Sequence, residues 1–186
     1  MKRALLVTAM ALLLTMPYVA SSQTYFEAGK SYVGPSIGLS FLGSALQFGA
    51  NYEYGMKMDF GTVGIGGIFR YWGYSEDWGG GFYGNDSYKW KYTNILIGAQ
   101  GNYHFKMDAG SKLDPWAGLI LGYNASSVKY DGPSGYNYSS PTAGGLVLNA
   151  HGGVRYWFSP KMAICASIGY GSLSYGALDL GIDFKL

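Results

Sequence analysis

Long apolar runs are missing from this chain of 186 residues. No stretch of about 18 apolar residues occurs, which excludes a transmembrane helix. Cysteine is nearly absent: Cys165 stands alone, so no intrachain disulfide and no cysteine-based zinc constellation can form. Histidine is scarce as well: His104 and His151 are the only imidazoles available as an acid, a base or a metal ligand. Charged residues make up only 13% of the chain while aromatics reach 17%, a balance opposite to that of disordered segments. An excess of basic charge is also lacking. The formal net charge of +2 comes from Lys2 and Arg3, and the 13 basic residues less these two leave 11 against 11 acidic ones. The remaining chain is neutral, which speaks against a nucleic-acid partner.

What the chain does contain begins with a targeting pattern. Lys2 and Arg3 precede an apolar run over 4–14, and Ala20-Ser21-Ser22 supplies small residues at a cleavage position. Residues 1–22 are therefore expected to be a cleaved signal peptide, with the cut before Gln23, and residues 23–186 to form one domain.

The domain is rich in Gly (30) and Tyr (18) and alternates apolar with small or polar residues. Period-two alternation marks strands with one face on each side of a sheet. The pattern predicts eight strands, over 32–42, 45–54, 61–73, 88–105, 114–125, 144–158, 162–170 and 175–186. Turns separate them, and two longer loops fall over 74–87 and 126–143. An even number of strands of this kind closes as an antiparallel up-and-down β-barrel.

Composition decides which face meets which solvent. One face carries Val, Ile, Leu, Phe and Tyr in every strand. The other carries Glu53, Arg70, His104, His151, Arg155, Asp179, Asp183 and Lys185 among Asn, Gln, Ser and Gly. A soluble barrel would need more Lys and Glu outside than the chain has, so the apolar face is expected to meet lipid. The eight charged and histidine residues are then a polar network in the lumen, with Arg70, Arg155 and Lys185 set against Glu53, Asp179 and Asp183. Aromatic residues belong at membrane interfaces. Tyr52, Tyr54, Tyr103, Phe105, Tyr156, Phe158 and Phe184 are expected at one rim, and Tyr71, Tyr123 and Tyr170 at the other. Ile68, Leu96, Ile120 and Val147 break the alternation from the inside and are read as lumen filling.

The segments Gly101-Asn-Tyr-His-Phe105, Leu113-Asp-Pro-Trp-Ala-Gly-Leu-Ile-Leu-Gly-Tyr-Asn124, Gly153-Val-Arg-Tyr-Trp-Phe158 and Leu180-Gly-Ile-Asp-Phe-Lys-Leu186 carry a resemblance. The chain resembles the small outer-membrane β-barrel family related to the OmpA barrel, OmpX and the opacity proteins, in the style of members from Bacteroidota. The resemblance implies an eight-stranded transmembrane barrel in the bacterial outer membrane. It implies contact with outer-membrane lipid and lipopolysaccharide, and insertion by the barrel assembly machinery. The apolar face of the last strand, Leu178, Leu180, Ile182, Phe184 and Leu186, would be the assembly signal. It ends in Phe-Lys-Leu where the family commonly ends in Phe.

The function expected is non-enzymatic: envelope integrity, or surface interaction through the two long loops with an extracellular ligand the sequence does not name. No cofactor, no metal and a monomer are expected. The alternative is a small porin-like channel or carrier, because inward glycines remove bulk from the lumen. Enzymatic action on lipid would need a nucleophile with a base beside it at the lipid-facing surface. His104 and His151 both point inward in the predicted register. Lys89 and Lys91 fall near the outer rim of strand 4, within reach of lipopolysaccharide phosphates, although a snorkelling lysine needs no ligand.

Overall fold

Alternation of side chains closes the chain on itself. The computed structural model describes residues 25–78, 88–108, 111–131, 142–172 and 175–186. The expected leader over 1–22 and most of both expected loops lie outside them. The strands are β1 Ser31–Ser40, β2 Ala45–Met58, β3 Gly61–Trp78, β4 Tyr88–His104, β5 Leu113–Asp131, β6 Thr142–Ser159, β7 Met162–Gly171 and β8 Gly176–Lys185. They hydrogen-bond in chain order, and β8 returns to β1, so the fold is a closed eight-stranded antiparallel up-and-down β-barrel. Within the closed ring every strand has a partner on both sides, the condition for a sheet to sit in lipid, whereas extensions such as 73–78 of β3 and 142–148 of β6 are paired on one side alone among the described residues. Among the described residues no helix is long and apolar enough to cross a membrane.

The seam between β1 and β8 tolerates a proline because of local pairing. Pro35 faces Ala50 of β2, whereas the β1–β8 ladder passes from Val33–Phe184 to Ser36–Gly181 and skips Gly34 and Pro35. A proline has no N–H to give to a ladder. A bulge at Phe158 separates the pairs Trp157–Ala163 and Ser159–Met162 where β6 turns into β7.

The expected strands have the right number and faces, but several of them run further. The segments 74–78 and 126–131, expected as loop, continue β3 and β5. Residues 55–58 likewise extend β2. The strands β3 to β6 thus rise as a wall beyond β1, β7 and β8, each of which has 10 residues. Six residues past Trp72 correspond to about 20 Å along the strand. The turn-rich composition of the sequence suggested loops here, yet Tyr74 pairs with Tyr92 and Trp90 with Tyr130, and these rings meet across the ladder. Cross-strand aromatic pairs stabilise a sheet that composition alone leaves undecided.

The segment from Tyr25 into β1, the C-terminus and the β2–β3 and β6–β7 turns share one end, which corresponds to the periplasmic end of membrane barrels of this kind. The extended wall rises from the other end.

Candidate functional site: the lumen and its two seals

Along every strand the inward residues alternate with outward ones, and the inward set fills the barrel in three layers. The middle layer is ionic. Arg155 on β6 donates from Nη2 to Glu53 Oε2 at 2.5 Å and from Nε to Asp183 Oδ2 at 2.5 Å, with Asp114 Oδ2 3.5 Å from Nη1. His104 on β4 places Nδ1 2.8 Å from Asp114 Oδ1 and Nε2 3.1 Å from Glu53 Oε1. A carboxylate only accepts, so both contacts are satisfied when the ring donates from both nitrogens. Asn102 Nδ2 donates to the same Glu53 oxygen at 2.8 Å. Nearer the outer end, Arg70 on β3 donates to Asp179 Oδ2 at 3.1 Å and to Asn51 Oδ1 at 2.8 Å, and Gln47 donates to Asp179 Oδ1 at 2.7 Å. These charges are almost completely buried, and buried charges persist only when paired and hydrogen-bonded.

The sequence-predicted network is partly redrawn. Glu53, Arg70, His104, Arg155, Asp179 and Asp183 come together. Lys185 does not join them: its ammonium sits at the rim and pairs with Glu27 Oε1 at 2.6 Å. His151 makes no ion pair among the described residues; it packs edge-on to Trp116 at 4.7 Å. Sequence reasoning passed over Asp114 and Glu27. Asp114 shares the parity of Trp116 and Gly118, a signal for an inward position that its place beside Pro115 obscured. Glu27 lies in the lead-in before β1, where no periodicity exists to read.

Room for Glu53 comes from Gly64. A Cβ there would collide with Glu53 Oε1, so any side chain displaces the carboxylate. Gly64→Ala is expected to lower stability by about 1–3 kcal/mol through overpacking. Gly101→Ala, at an outward position with nothing within 4 Å of the new carbon, is expected to stay within about 0.5 kcal/mol. Urea titration of the refolded protein reads both.

Apolar layers close the lumen on either side of the ionic one. At the outer end Trp72, Leu96, Ile68, Ile120, Val147, Tyr175, Ala45 and Ala177 form one buried cluster, with Trp72 and Tyr175 rings 5.4 Å apart. At the periplasmic end the segment before β1 folds into the mouth. Phe26 is fully buried, stacks on His104 at 3.5 Å and on Tyr32 at 4.4 Å, and lies 5.4 Å from the Arg155 guanidinium carbon. Trp157, Ala163 and Tyr25 complete this seal. Among the described residues, small cavities of about 20 Å³ lie between the layers, with Arg70, His151 and Ser167 in the walls of both a cavity beside Ile120 and one beside Trp116. Each has room for about a single water molecule. Among the described residues no group of three or more His, Cys, Asp or Glu is arranged to hold a metal ion. Arg155 and His104 occupy the centre of the carboxylate cluster instead.

Outside, the polarity is reversed. Ile97, Leu119, Leu121, Leu146, Leu148, Ile164, Ile168, Leu178, Leu180 and Ile182 are exposed around the barrel, with Leu146 at 72%. A continuous apolar belt of this extent has no stable place in water. Tyr52, Tyr54, Tyr156, Phe158 and Phe184 edge the belt on the periplasmic side, with Tyr103 and Phe105 partly buried beside them. Phe60, which the sequence reading left in a turn, joins them by stacking on Tyr103. Tyr170 lies next to the end of β7. Tyr71 and Tyr123 are exposed but do not end their strands, because β3 and β5 continue to Trp78 and Asp131. Leu178, Leu180, Ile182, Phe184 and Leu186 all face outward.

A closed barrel with a lipid-facing apolar belt and an ion-paired, sealed lumen defines the class: a small eight-stranded outer-membrane-type β-barrel. Solved structures share this fold. The N-terminal barrel domain of Pseudomonas aeruginosa OprF superimposes with a TM-score of 0.57 at 15% identity, over 86% of this chain and 98% of that one. Ail, the attachment invasion locus protein of Yersinia pestis, crystallised with the heparin analogue sucrose octasulfate, gives 0.59 at 16% identity, over 86% and 100%. A major outer-membrane protein of Thermus thermophilus gives 0.59 at 14% identity, also over 86% and 100%. No protein-family model and no curated relative matches the chain.

Proposed function

We propose that this chain is a non-enzymatic protein of the bacterial outer membrane, in which a barrel closed to solutes serves envelope integrity or surface interaction. The observation that carries this reading is the pair of apolar seals, Phe26–Tyr32–Trp157 and Trp72–Tyr175–Leu96–Val147, around a buried ion-paired layer. A lumen filled in this way has no path for a hydrated ion. The only two histidines lie inside the barrel, away from any lipid substrate.

In this reading the leader directs export and the outward face of β8, Leu178 to Leu186, is presented to the barrel assembly machinery. Outer-membrane lipid and lipopolysaccharide surround the belt, and the protein acts as a monomer. Surface interaction would be made by the β3–β6 wall and by the segments 79–87 and 132–141 that join its strands. The fold shared with Ail, which was crystallised with a polyanion, is compatible with that use.

Conductance of the refolded protein in planar bilayers tests the reading, with the gel shift between unboiled and boiled samples as the folding control. A folded and electrically silent barrel is expected. Discrete, reproducible current steps would transfer the assignment to a porin-like channel or carrier.

A further inference from the structure

The outward face changes character where the wall leaves the apolar belt. Ile97 and Tyr123 are cross-strand partners, and Ile95 and Ala125 are the next pair. Above them the outward pairs are Thr93–Ser127 and then Lys91–Lys129. Two ammonium groups directly opposite one another repel across a ladder. The neighbouring charges do not resolve this. Lys91 binds Asp131 Oδ2 at 2.6 Å and Lys89 binds Asp77 Oδ1 at 3.2 Å, both well exposed. The Lys91 ammonium holds the Asp131 carboxyl below its ordinary range. Three lysines thus meet two carboxylates, and Lys129 has no ion pair among the described residues.

The depth of this quartet is specific. Four residues separate Ile95 from Lys91, about 13 Å along the strand and about 10 Å along the membrane normal at the usual tilt. Lysine stems can bend back toward the apolar surface by several ångströms. Two ammonium and two hydroxyl donors therefore stand at head-group height, directly over a strip of exposed Ile95, Ile97, Leu121 and Tyr123. Cationic donors above and an apolar wall below match an amphiphile with a phosphorylated head and acyl chains.

We propose that Lys91, Lys129, Thr93 and Ser127 form a binding site for the phosphorylated head group of a lipid in the outer leaflet, whose acyl chains lie along Ile95, Ile97, Leu121 and Tyr123. The site rests on the outer-membrane reading above, since only there does the wall rise through the outer leaflet.

The test uses the full mature chain refolded in neutral detergent, with the gel shift as proof of a folded barrel. Fluorescent bis-phosphorylated lipid A is titrated against the wild type, the K91E/K129E variant, the milder K129Q variant and a periplasmic-side control, K57E/K161E. At least a tenfold loss of affinity is expected in K91E/K129E, a smaller loss in K129Q and none in the control. Dephosphorylated lipid A is expected to bind at least tenfold more weakly than the phosphorylated form. Equal affinity of the two lipids, or undiminished binding by folded K91E/K129E, would overturn the site. Displacement of the lipid by millimolar inorganic phosphate alone would replace the lipid by a free anion as ligand. The folding control and bilayer conductance are read separately, so failure of this site leaves the closed-barrel reading standing.

Discussion

Replacing Arg155 by Met is expected to lower the stability of the refolded barrel by about 3–5 kcal/mol. Arg155 is the shared partner of Glu53, Asp183 and Asp114, which come from β2, β8 and β5. Its removal leaves three buried carboxylates with only His104 to answer them. The cost is chiefly the desolvation of charge left without a partner. The pair itself contributes much less, because its Coulombic gain is offset by the loss of water from both groups. This distinction can be measured. Combining Arg155→Met with Glu53→Gln, Asp114→Asn and Asp183→Asn removes the orphan charges and should recover most of the lost stability. Urea midpoints of the compact gel species give both numbers. A loss under about 1 kcal/mol for Arg155→Met would mean that the layer is hydrated and weakly coupled.

Phe26→Ala is expected to cost about 3–5 kcal/mol, the range for deleting a buried phenyl ring. The ring is fully buried between Tyr32 and His104, and the segment that carries it is anchored from several sides. The Tyr32 hydroxyl accepts from Glu27 N at 2.6 Å, Gly29 N donates to Gly55 O at 2.8 Å, and Glu27 pairs with Lys185 on β8. The lead-in thereby ties β1, β2 and β8 together at the periplasmic mouth. The electrical consequence differs from the energetic one. Phe26→Ala alone should remain silent in planar bilayers, because the Trp72 layer still closes the outer half. The double variant Phe26→Ala with Trp72→Ala should pass current while keeping the gel shift. Conduction by Phe26→Ala alone would show that the outer layer is no barrier, whereas silence of the folded double variant would place the block in the ionic layer between.

Much of this architecture is legible in single residues. Parity places Ile68, Leu96, Ile120 and Val147 inside and Leu146, Leu148 and Leu180 outside, and the barrel puts each of them there. Period-two alternation is a local property of the extended chain, so it survives into the fold unchanged. Parity does not tell depth. Lys185 has the inward parity of Asp183 and Asp179, but it is the last residue of β8 and reaches Glu27 at the rim. His104 and His151 look alike in sequence. One is clasped by two carboxylates and the other lies against Trp116, because strand stagger brings Glu53 and Asp114 level with the first. Phe26 has no periodic context at all, and only its folding back into the mouth reveals a role.

The sequence by itself determined that this protein is an eight-stranded barrel with an apolar exterior and a polar lumen. Those properties follow from side-chain alternation, strand count and composition, none of which depends on which strand meets which at what height. Tertiary structure alone decided that the lumen is closed by two apolar seals and that Arg155 serves three carboxylates. It also decided that β3 to β6 continue as a wall with Lys91 opposite Lys129. These depend on register and stagger between strands far apart in the chain, and on the return of the N-terminal segment. Each is settled by close packing and charge pairing in a lumen where side chains leave little space.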